Sequence, residues 1–162
     1  RYTGMGQYGP NMGPVDSLIY ALGCTGDKKA LPAILEKAKL LKPDSPFSHF
    51  RAMVLALEKI GDKAAADELY RVLSMPEMQG YATSTLQGAI ERAKRWPSMT
   101  ATEPRSRAIR ELILGRALLR CGDKNGLGRT ILQKYLQDLR GHFSRHAKEV
   151  LKEEQEKSRS IP

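Results

Sequence analysis

Cysteine, aromatic residues and long apolar runs are scarce in this sequence. The 162 residues include 2 Cys, 1 Trp and 3 Phe. No apolar run approaches the roughly 20 residues that a membrane-spanning helix needs, and no secretory signal with an apolar core is visible. Two thiols alone do not form a zinc site. We therefore expect no membrane partner, and nothing in the sequence argues for an oxidising compartment. The compartment itself stays open, with the cytoplasm favoured.

Residue patterns that carry catalysis are also missing. His142 and His146 are four residues apart, a spacing typical of metal ligands, but no third ligand accompanies them and we expect two solvated histidines. Gly4-x-Gly6-x-x-Gly9 matches a dinucleotide fingerprint formally, but no strand precedes it and Pro10 blocks the helix that should follow. The sequence thus predicts no catalytic, cofactor-binding or metal-binding residue in this segment.

A Gly-Asp-Lys tripeptide occurs three times. Its glycine-aspartate pairs are Gly26-Asp27, Gly61-Asp62 and Gly122-Asp123. The glycine can adopt the left-handed conformation that closes one helix, and the aspartate can cap the next. Ala-Leu lies five and four residues before each glycine, and Asp27 and Asp62 are 35 residues apart. This period is typical of helical repeat proteins.

These turns and their flanks resemble the short HEAT-like repeats of the phycobilisome-lyase type, in which alanine-leucine precedes a glycine-aspartate turn. The resemblance implies an all-α, right-handed α-α superhelix of about seven helices in antiparallel pairs. We assign residues 15–157 to this domain, 1–14 to a Gly/Pro-rich arm or linker and 158–162 to a polar tail. No sheet is expected.

Apolar periodicity places the individual helices. They are expected over residues 15–23 and 28–41, from Phe47 to the Gly61-Asp62 turn and on to about Leu73, and from Ala82 to Trp96. Further helices are expected over 105–121, after Asp123 with Arg129, Gln133 and Arg140 on one face, and over 142–157. The helix of residues 105–121 is apolar around most of its circumference, so it should be enclosed by neighbours. A crossover strand is expected between Trp96 and that helix. Cys24 and Cys121 are expected to be core thiols.

A second resemblance concerns residues 111–151, with the segments CGDKNGLGRTIL and DLRGHFSRHA. They are similar to the HEAT-like tails that follow the flavin domain of some bacterial FAD-dependent oxidoreductases. This resemblance implies that the chain is the C-terminal part of a larger bacterial protein and that FAD binds in an upstream domain. A chain that opens at Arg1 rather than Met agrees with this interpretation.

The net charge of +9 is unevenly distributed. Residues 1–91 hold 10 basic and 10 acidic side chains, whereas residues 92–162 hold 17 basic and 8 acidic ones. Such a localised excess favours an anionic partner. We expect Arg129, Gln133 and Arg140 to form an exposed stripe, joined by Arg145. Arg105, Arg116 and Arg120 should lie nearer the seam between helices.

These features predict a non-catalytic scaffold or docking module that binds a protein partner or an upstream domain of the same polypeptide. Apolar anchors between the second helices should supply most of the affinity. The alternative is a nucleic-acid-binding domain with a basic concave face, as in the HEAT-like alkylpurine DNA glycosylases. Those enzymes resemble this chain in fold alone, since the sequence shows no catalytic aspartate flanked by aromatic residues.

Overall fold

The computed structural model describes residues 12–95 and 103–159, which form eight α-helices without a strand in these ranges. The helices are α1 (Pro14–Cys24), α2 (Leu31–Ala38), α3 (Phe47–Ile60), α4 (Ala66–Leu73), α5 (Leu86–Arg95), α6 (Glu103–Arg120), α7 (Leu127–Tyr135) and α8 (Gly141–Arg159). The predicted all-α class is therefore confirmed, with eight helices where about seven were expected.

Two of the three Gly-Asp turns have the predicted geometry. Gly26 and Gly61 are left-handed, with φ of 66° and 64°. The carboxylates of Asp27 and Asp62 accept the backbone N–H two residues further on, at 2.9 and 3.0 Å. Each aspartate thereby caps a short 3-10 turn that leads into the second helix of its pair.

The third turn is built differently. Gly122 has a φ of 120°, beyond the left-handed helical region, and Asp123 itself adopts the left-handed conformation with φ of 49°. Its Oδ1 accepts hydrogen bonds from the backbone N–H groups of Gly128 at 2.7 Å and Arg129 at 3.3 Å. Asp123 therefore caps the first turn of α7, although the short 3-10 turn Lys124–Gly126 lies between them.

Helix α6 lies at the centre of the helix contacts. It packs against α3, α4, α7 and α8. Every residue from Ala108 to Cys121 is buried, which confirms the expectation that this helix is enclosed. In one series of neighbours, α1 packs on α3, α3 on α6 and α6 on α8. Helix α2 packs against α3, and α4 packs against α6. Helix α7 packs against both α6 and α8.

Small residues allow two of these helix pairs to approach closely. A Cβ atom placed on Gly23 of α1 would lie 2.3 Å from the Cα atom of Ala56 in α3. A Cβ atom placed on Gly128 of α7 would lie 2.6 Å from the carbonyl oxygen of Gly115 in α6. Glycine is the residue that permits such backbone contact.

The region after α4 departs from the expected helix. That helix was predicted to include Ala82, but α5 begins at Leu86 and none of its residues is buried. Side chains of Glu111 and Asp138 bind the backbone N–H groups of Gly80, Tyr81 and Thr83, and this holds the preceding segment outside a helix. The crossover strand, most of the N-terminal arm and the last three residues lie outside the described residues.

The two cysteines occupy different environments. Cys121 is buried, and its Sγ lies 3.7 Å from the carbonyl oxygen of Leu57. Cys24 is exposed at the end of α1, so the prediction of two core thiols is wrong for this residue. Helix α1 has neighbours on fewer sides than α6 has, which leaves its C-terminal turn open to solvent.

Gly128→Ala should lower the free energy of unfolding by about 1–3 kcal/mol, because the added methyl group overlaps the α6 backbone. Gly141→Ala is the matched control, since a Cβ atom there meets nothing within 4 Å. Urea unfolding followed by circular dichroism measures both. Equal unfolding midpoints for the two variants would contradict the close approach of α6 and α7.

Candidate docking surface

Several cations of the second half of the chain are buried and serve the fold. Arg116 is fully buried, and its Nε and Nη2 donate to the two carboxylate oxygens of Glu58 at 2.6 and 2.9 Å. Arg120 donates to Glu153 at 2.6 Å and Glu154 at 3.3 Å, and it lies 3.4 Å from Glu58. This buried charge cluster joins α3, α6 and α8. Two of the three arginines expected at the seam therefore lie there.

His146 belongs to the same buried charge cluster. It is fully buried, and Arg116 Nη1 donates to its Nε2 at 3.4 Å. Burial, together with the charges of Arg116 and Arg120, lowers the pKa of His146 to about 3. The expectation of two solvated histidines is thus wrong for His146, while His142 is exposed. No group of three His, Cys, Asp or Glu side chains suited to a metal ion occurs among the described residues.

Arg140 also has a structural role. Its guanidinium binds the buried carboxylate of Asp138, with Nη2 2.6 Å from Oδ2, and donates to the carbonyl oxygen of Tyr81 at 2.6 Å. Burial opposes ionisation of Asp138, but the hydrogen bonds from Arg140 and the backbone of Thr83 outweigh it and lower the pKa of Asp138. Because α7 ends at Tyr135, Arg140 does not continue the stripe of Arg129 as predicted.

The buried carboxylate of Glu111 in α6 also holds the segment between α4 and α5. It accepts hydrogen bonds from the backbone N–H groups of Gly80 at 2.9 Å and Tyr81 at 2.8 Å. Tyr135 Oη donates to the same carboxylate at 2.8 Å, and burial raises the pKa of this phenol far above its ordinary value. The segment between α4 and α5 is therefore fixed to α6 and to the end of α7 by side-chain hydrogen bonds.

The outward stripe of α7 consists of Arg129, Gln133 and Leu136. These residues are spaced by four and three positions, so they share one face of the helix, and all three are exposed. Arg129 and Gln133 lie where the sequence predicts them. Leu136, rather than Arg140, continues the stripe.

Four large apolar residues are exposed on α5 and just after the last turn of α7: Leu86, Ile90, Leu136 and Leu139. They are 72%, 41%, 38% and 56% exposed. The backbone N–H of Leu139 donates to the carbonyl oxygen of Thr83 at 2.8 Å, which brings the end of α7 beside the start of α5. We call these four residues the apolar corner. The sequence predicts a helix that includes Leu86 and Ile90, but helical spacing is the same in a buried and an exposed stripe and so does not predict their exposure.

A separate basic stripe runs along α8. Arg145, Lys148 and Lys152 are exposed at helical spacing, whereas Phe143 and Val150 on the same helix are buried. Arg145 thus lies on the surface, as predicted, but on a different helix from Arg129.

One cavity of the described surface is lined by charged side chains of both signs. A cavity of about 520 Å³ is lined by Tyr81, two glutamates (Glu77 and Glu91) and two arginines (Arg92 and Arg95), among others. Arg107 holds Glu77 in an ion pair at 2.6 Å and lowers the pKa of its carboxyl group. The cavity therefore presents charges of both signs, whereas large apolar side chains are exposed on α5 and just after α7.

Removing one member of the buried charge cluster should destabilise the protein strongly. Arg116→Met leaves Glu58 buried without its bidentate partner, so unfolding should become easier by about 3 kcal/mol or more. The double variant Glu58→Met/Arg116→Met should lose less free energy of unfolding than Arg116→Met alone. Arg129→Met, on the surface, is the control and should change stability by less than about 0.5 kcal/mol. A double variant as unstable as the sum of both single variants would contradict the pairing.

No helix in the described part of the chain combines the length and apolarity needed to cross a membrane. Comparison of the chain with protein-family models, with curated proteins and with solved structures finds no match.

Proposed function

We propose that this chain is a non-catalytic docking module that binds an acidic, partly apolar segment of a protein through the α7 stripe and the apolar corner. The observation that carries the proposal is the set of four large apolar side chains exposed on α5 and just after α7, together with exposed Arg129 on α7. Buried apolar anchors supply most of the binding energy at protein interfaces, and surrounding charges steer the partner and set specificity.

We further propose that the helices form a HEAT-like right-handed superhelix. The neighbour order α1–α3–α6–α8, with α2, α4 and α7 packed beside it, supports this arrangement. So do the two capped Gly-Asp turns, which join consecutive helices through short connections. In such repeat proteins each unit contacts its neighbours, and one face of the array is free to bind a partner.

Among the predicted partner-binding residues, Arg129 and Gln133 keep that role in the proposal. Arg140 is replaced by Leu136 and Leu139 because its guanidinium is occupied by Asp138 and Tyr81. The partner is either a separate protein or another domain of the same polypeptide. An upstream FAD-dependent oxidoreductase domain is the specific candidate that the resemblance of residues 111–151 suggests, and the described segment itself is proposed to bind no cofactor.

Site-specific photo-crosslinking tests the docking surface. A photoreactive residue placed at Leu139 should form a defined covalent adduct with the partner, because 56% of this side chain is exposed within the apolar corner. Leu40 is the matched control, since it is 67% exposed but lies at the end of α2. Mass spectrometry would identify the adducts. Adducts of equal yield from both positions, or from Leu40 alone, would contradict the proposed surface.

Nucleic acid is the second candidate partner, and the basic stripe on α8 is the observation that favours it. Phosphate binding releases counterions, so such an affinity would fall steeply between about 50 mM and about 200 mM salt. Fluorescence anisotropy with labelled single-stranded and duplex DNA measures it. The docking proposal predicts no binding at low salt. Salt-sensitive binding that Lys148→Glu weakens, and that Leu139→Asp leaves unchanged, would replace the docking proposal with this candidate.

A further inference from the structure

Glu77 is held in a backbone conformation that residues other than glycine seldom adopt. Its φ of 59° lies in the left-handed region, within the segment between α4 and α5. The carbonyl oxygen of Glu77 accepts hydrogen bonds from Tyr81 Oη at 3.1 Å and from Arg110 Nη2 at 2.8 Å. These bonds fix the backbone through the carbonyl group, so they remain when the side chain of Glu77 moves. Residues in such conformations cluster at ligand-binding and switching segments.

The carboxylate of Glu77 lies in a cluster of arginines. Its Oε2 is 2.6 Å from Nη1 of Arg107 in α6. The hydrogen bond and charge of Arg107, followed by the charges of Arg95 and Arg110, lower the pKa of this carboxyl group. The side chain of Glu77 is 59% exposed and that of Arg107 is 22% exposed. Because exposed ion pairs contribute little to stability, an anion arriving from solvent can displace Glu77 from Arg107.

Arg107 has a second partner that keeps it in place when Glu77 leaves. Its Nη1 also donates to Tyr81 Oη at 2.9 Å. The guanidinium carbons of Arg92 and Arg107 lie 5.7 and 5.9 Å from the centroid of the Tyr81 ring. The backbone N–H of Tyr81 is bound in turn by Glu111. A guanidinium that is oriented in advance loses less freedom for each hydrogen bond that it forms with an oxyanion.

Two cavities meet at Glu77. The cavity of about 520 Å³ beside α5 is lined by Glu77 and by Arg92 and Arg95. A second cavity, of about 290 Å³, is lined by Glu77, Arg107 and Asp44, among others. Cavities of several hundred Å³ accommodate small organic molecules. A ligand group that takes the place of the Glu77 carboxylate therefore has room for an organic body next to it.

We propose that these residues form a binding site for a small organic phosphate monoester, and that Glu77 occupies the site as an internal competitor while the ligand is absent. The phosphate takes the place of the Glu77 carboxylate on Arg107, and the organic body lies in the adjoining cavities. Displacement of Glu77 leaves three arginines and two carboxylates lining the two cavities, which gives the site a net positive charge: Arg92, Arg95, Arg107, Asp44 and Glu91.

The competition with Glu77 favours a phosphate over a carboxylate as the ligand group. A free carboxylate competes poorly, because Glu77 presents the same group at the effective concentration of a tethered ligand. A phosphate monoester carries a charge of about −1.5 to −2 at neutral pH and three strong acceptor oxygens. It can therefore form charge-assisted hydrogen bonds with more than one guanidinium.

The phosphate site and the proposed docking surface lie on different faces of α5. Gly88, Arg92 and Arg95 line the cavity, whereas Leu86 and Ile90 belong to the apolar corner. At about 100° per residue these two groups point to opposite sides of the helix. The inference therefore does not depend on the proposed docking surface.

Binding of phenyl phosphate tests the site, with the amide resonances of Gly80 and Tyr81 followed by NMR at about pH 7.5, where the phosphate is a dianion. Glu77→Gln removes the competing carboxylate and should tighten binding by about tenfold or more, because the competent state becomes fully populated. Glu91→Gln is the matched control, since Glu91 lines the same cavity and is hydrogen-bonded to Gln87 at 3.0 Å. It should change the affinity by less than about threefold, because salt screens its charge.

Two further comparisons define the ligand group and its partner. Arg107→Gln, added to Glu77→Gln, should abolish binding, and benzoate should bind Glu77→Gln more weakly than phenyl phosphate does. Circular dichroism shows whether each variant is folded. The comparison of Glu77→Gln with Glu91→Gln decides the inference without the Arg107 variant.

Four outcomes would overturn the inference. Undetectable binding to Glu77→Gln would remove the site, and equal affinities of Glu77→Gln and Glu91→Gln would show that Glu77 is no competitor. Binding that survives Arg107→Gln in a folded protein would place the ligand elsewhere. Benzoate binding as tightly as phenyl phosphate would contradict the assignment to phosphate monoesters.

Discussion

The ion pair between Arg116 and Glu58 is the constraint on which the centre of this structure depends. Arg116 is fully buried in α6, so its guanidinium has exchanged water for the carboxylate of Glu58 in α3 and the ring of His146 in α8. A buried charge is tolerated when it is paired and hydrogen-bonded. The geometry that satisfies Arg116 therefore fixes three helices relative to one another, in addition to the apolar contacts of α6.

A second set of buried charges fixes the segment between α4 and α5. Glu111 and Asp138 bind backbone N–H groups of the segment between α4 and α5, and Arg140 closes this arrangement by binding Asp138. Side chains thus replace the hydrogen bonds that a helix would supply. As a consequence α5 starts late and keeps its apolar side exposed, which produces the apolar corner proposed to bind a partner.

The sequence predicts the helical class, two of the turns and the enclosed helix α6, because these depend on local spacing. The cap of Asp27 follows from one short motif, and the burial of Leu112 and Ile113 follows from an apolar circumference. The roles of Arg140 and His146 could not be predicted in this way. Arg140 is placed by a carboxylate two residues away and by the carbonyl oxygen of Tyr81, 59 residues earlier, and no periodic pattern records such a pairing.

Charge counts along the sequence are limited in a similar way. They locate the excess after residue 91 but do not say how much of it reaches the surface, and Arg116 and Arg120, expected near the seam between helices, are buried. The exposed cations of this half include Arg129 on α7, and Arg145, Lys148 and Lys152 on α8. The proposed interface is mixed, with exposed leucines and Arg129, rather than a uniformly basic face.

The titration of His146 tests the buried charge cluster most directly. Burial and the charges of Arg116 and Arg120 should keep the imidazole neutral in the folded protein, with a pKa of about 3 against an ordinary value of 6.5. Because the unfolded chain binds a proton at this histidine below pH 6.5 and the folded protein does not, the contribution of His146 to the free energy of unfolding is full above pH 6.5. It is lost as the pH falls towards 3, by up to about 1.4 kcal/mol per pH unit. NMR of the histidine ring resonances should show exposed His142 titrating and His146 unchanged down to about pH 4. A His146 resonance that titrates near pH 6.5 in the folded protein would contradict the account.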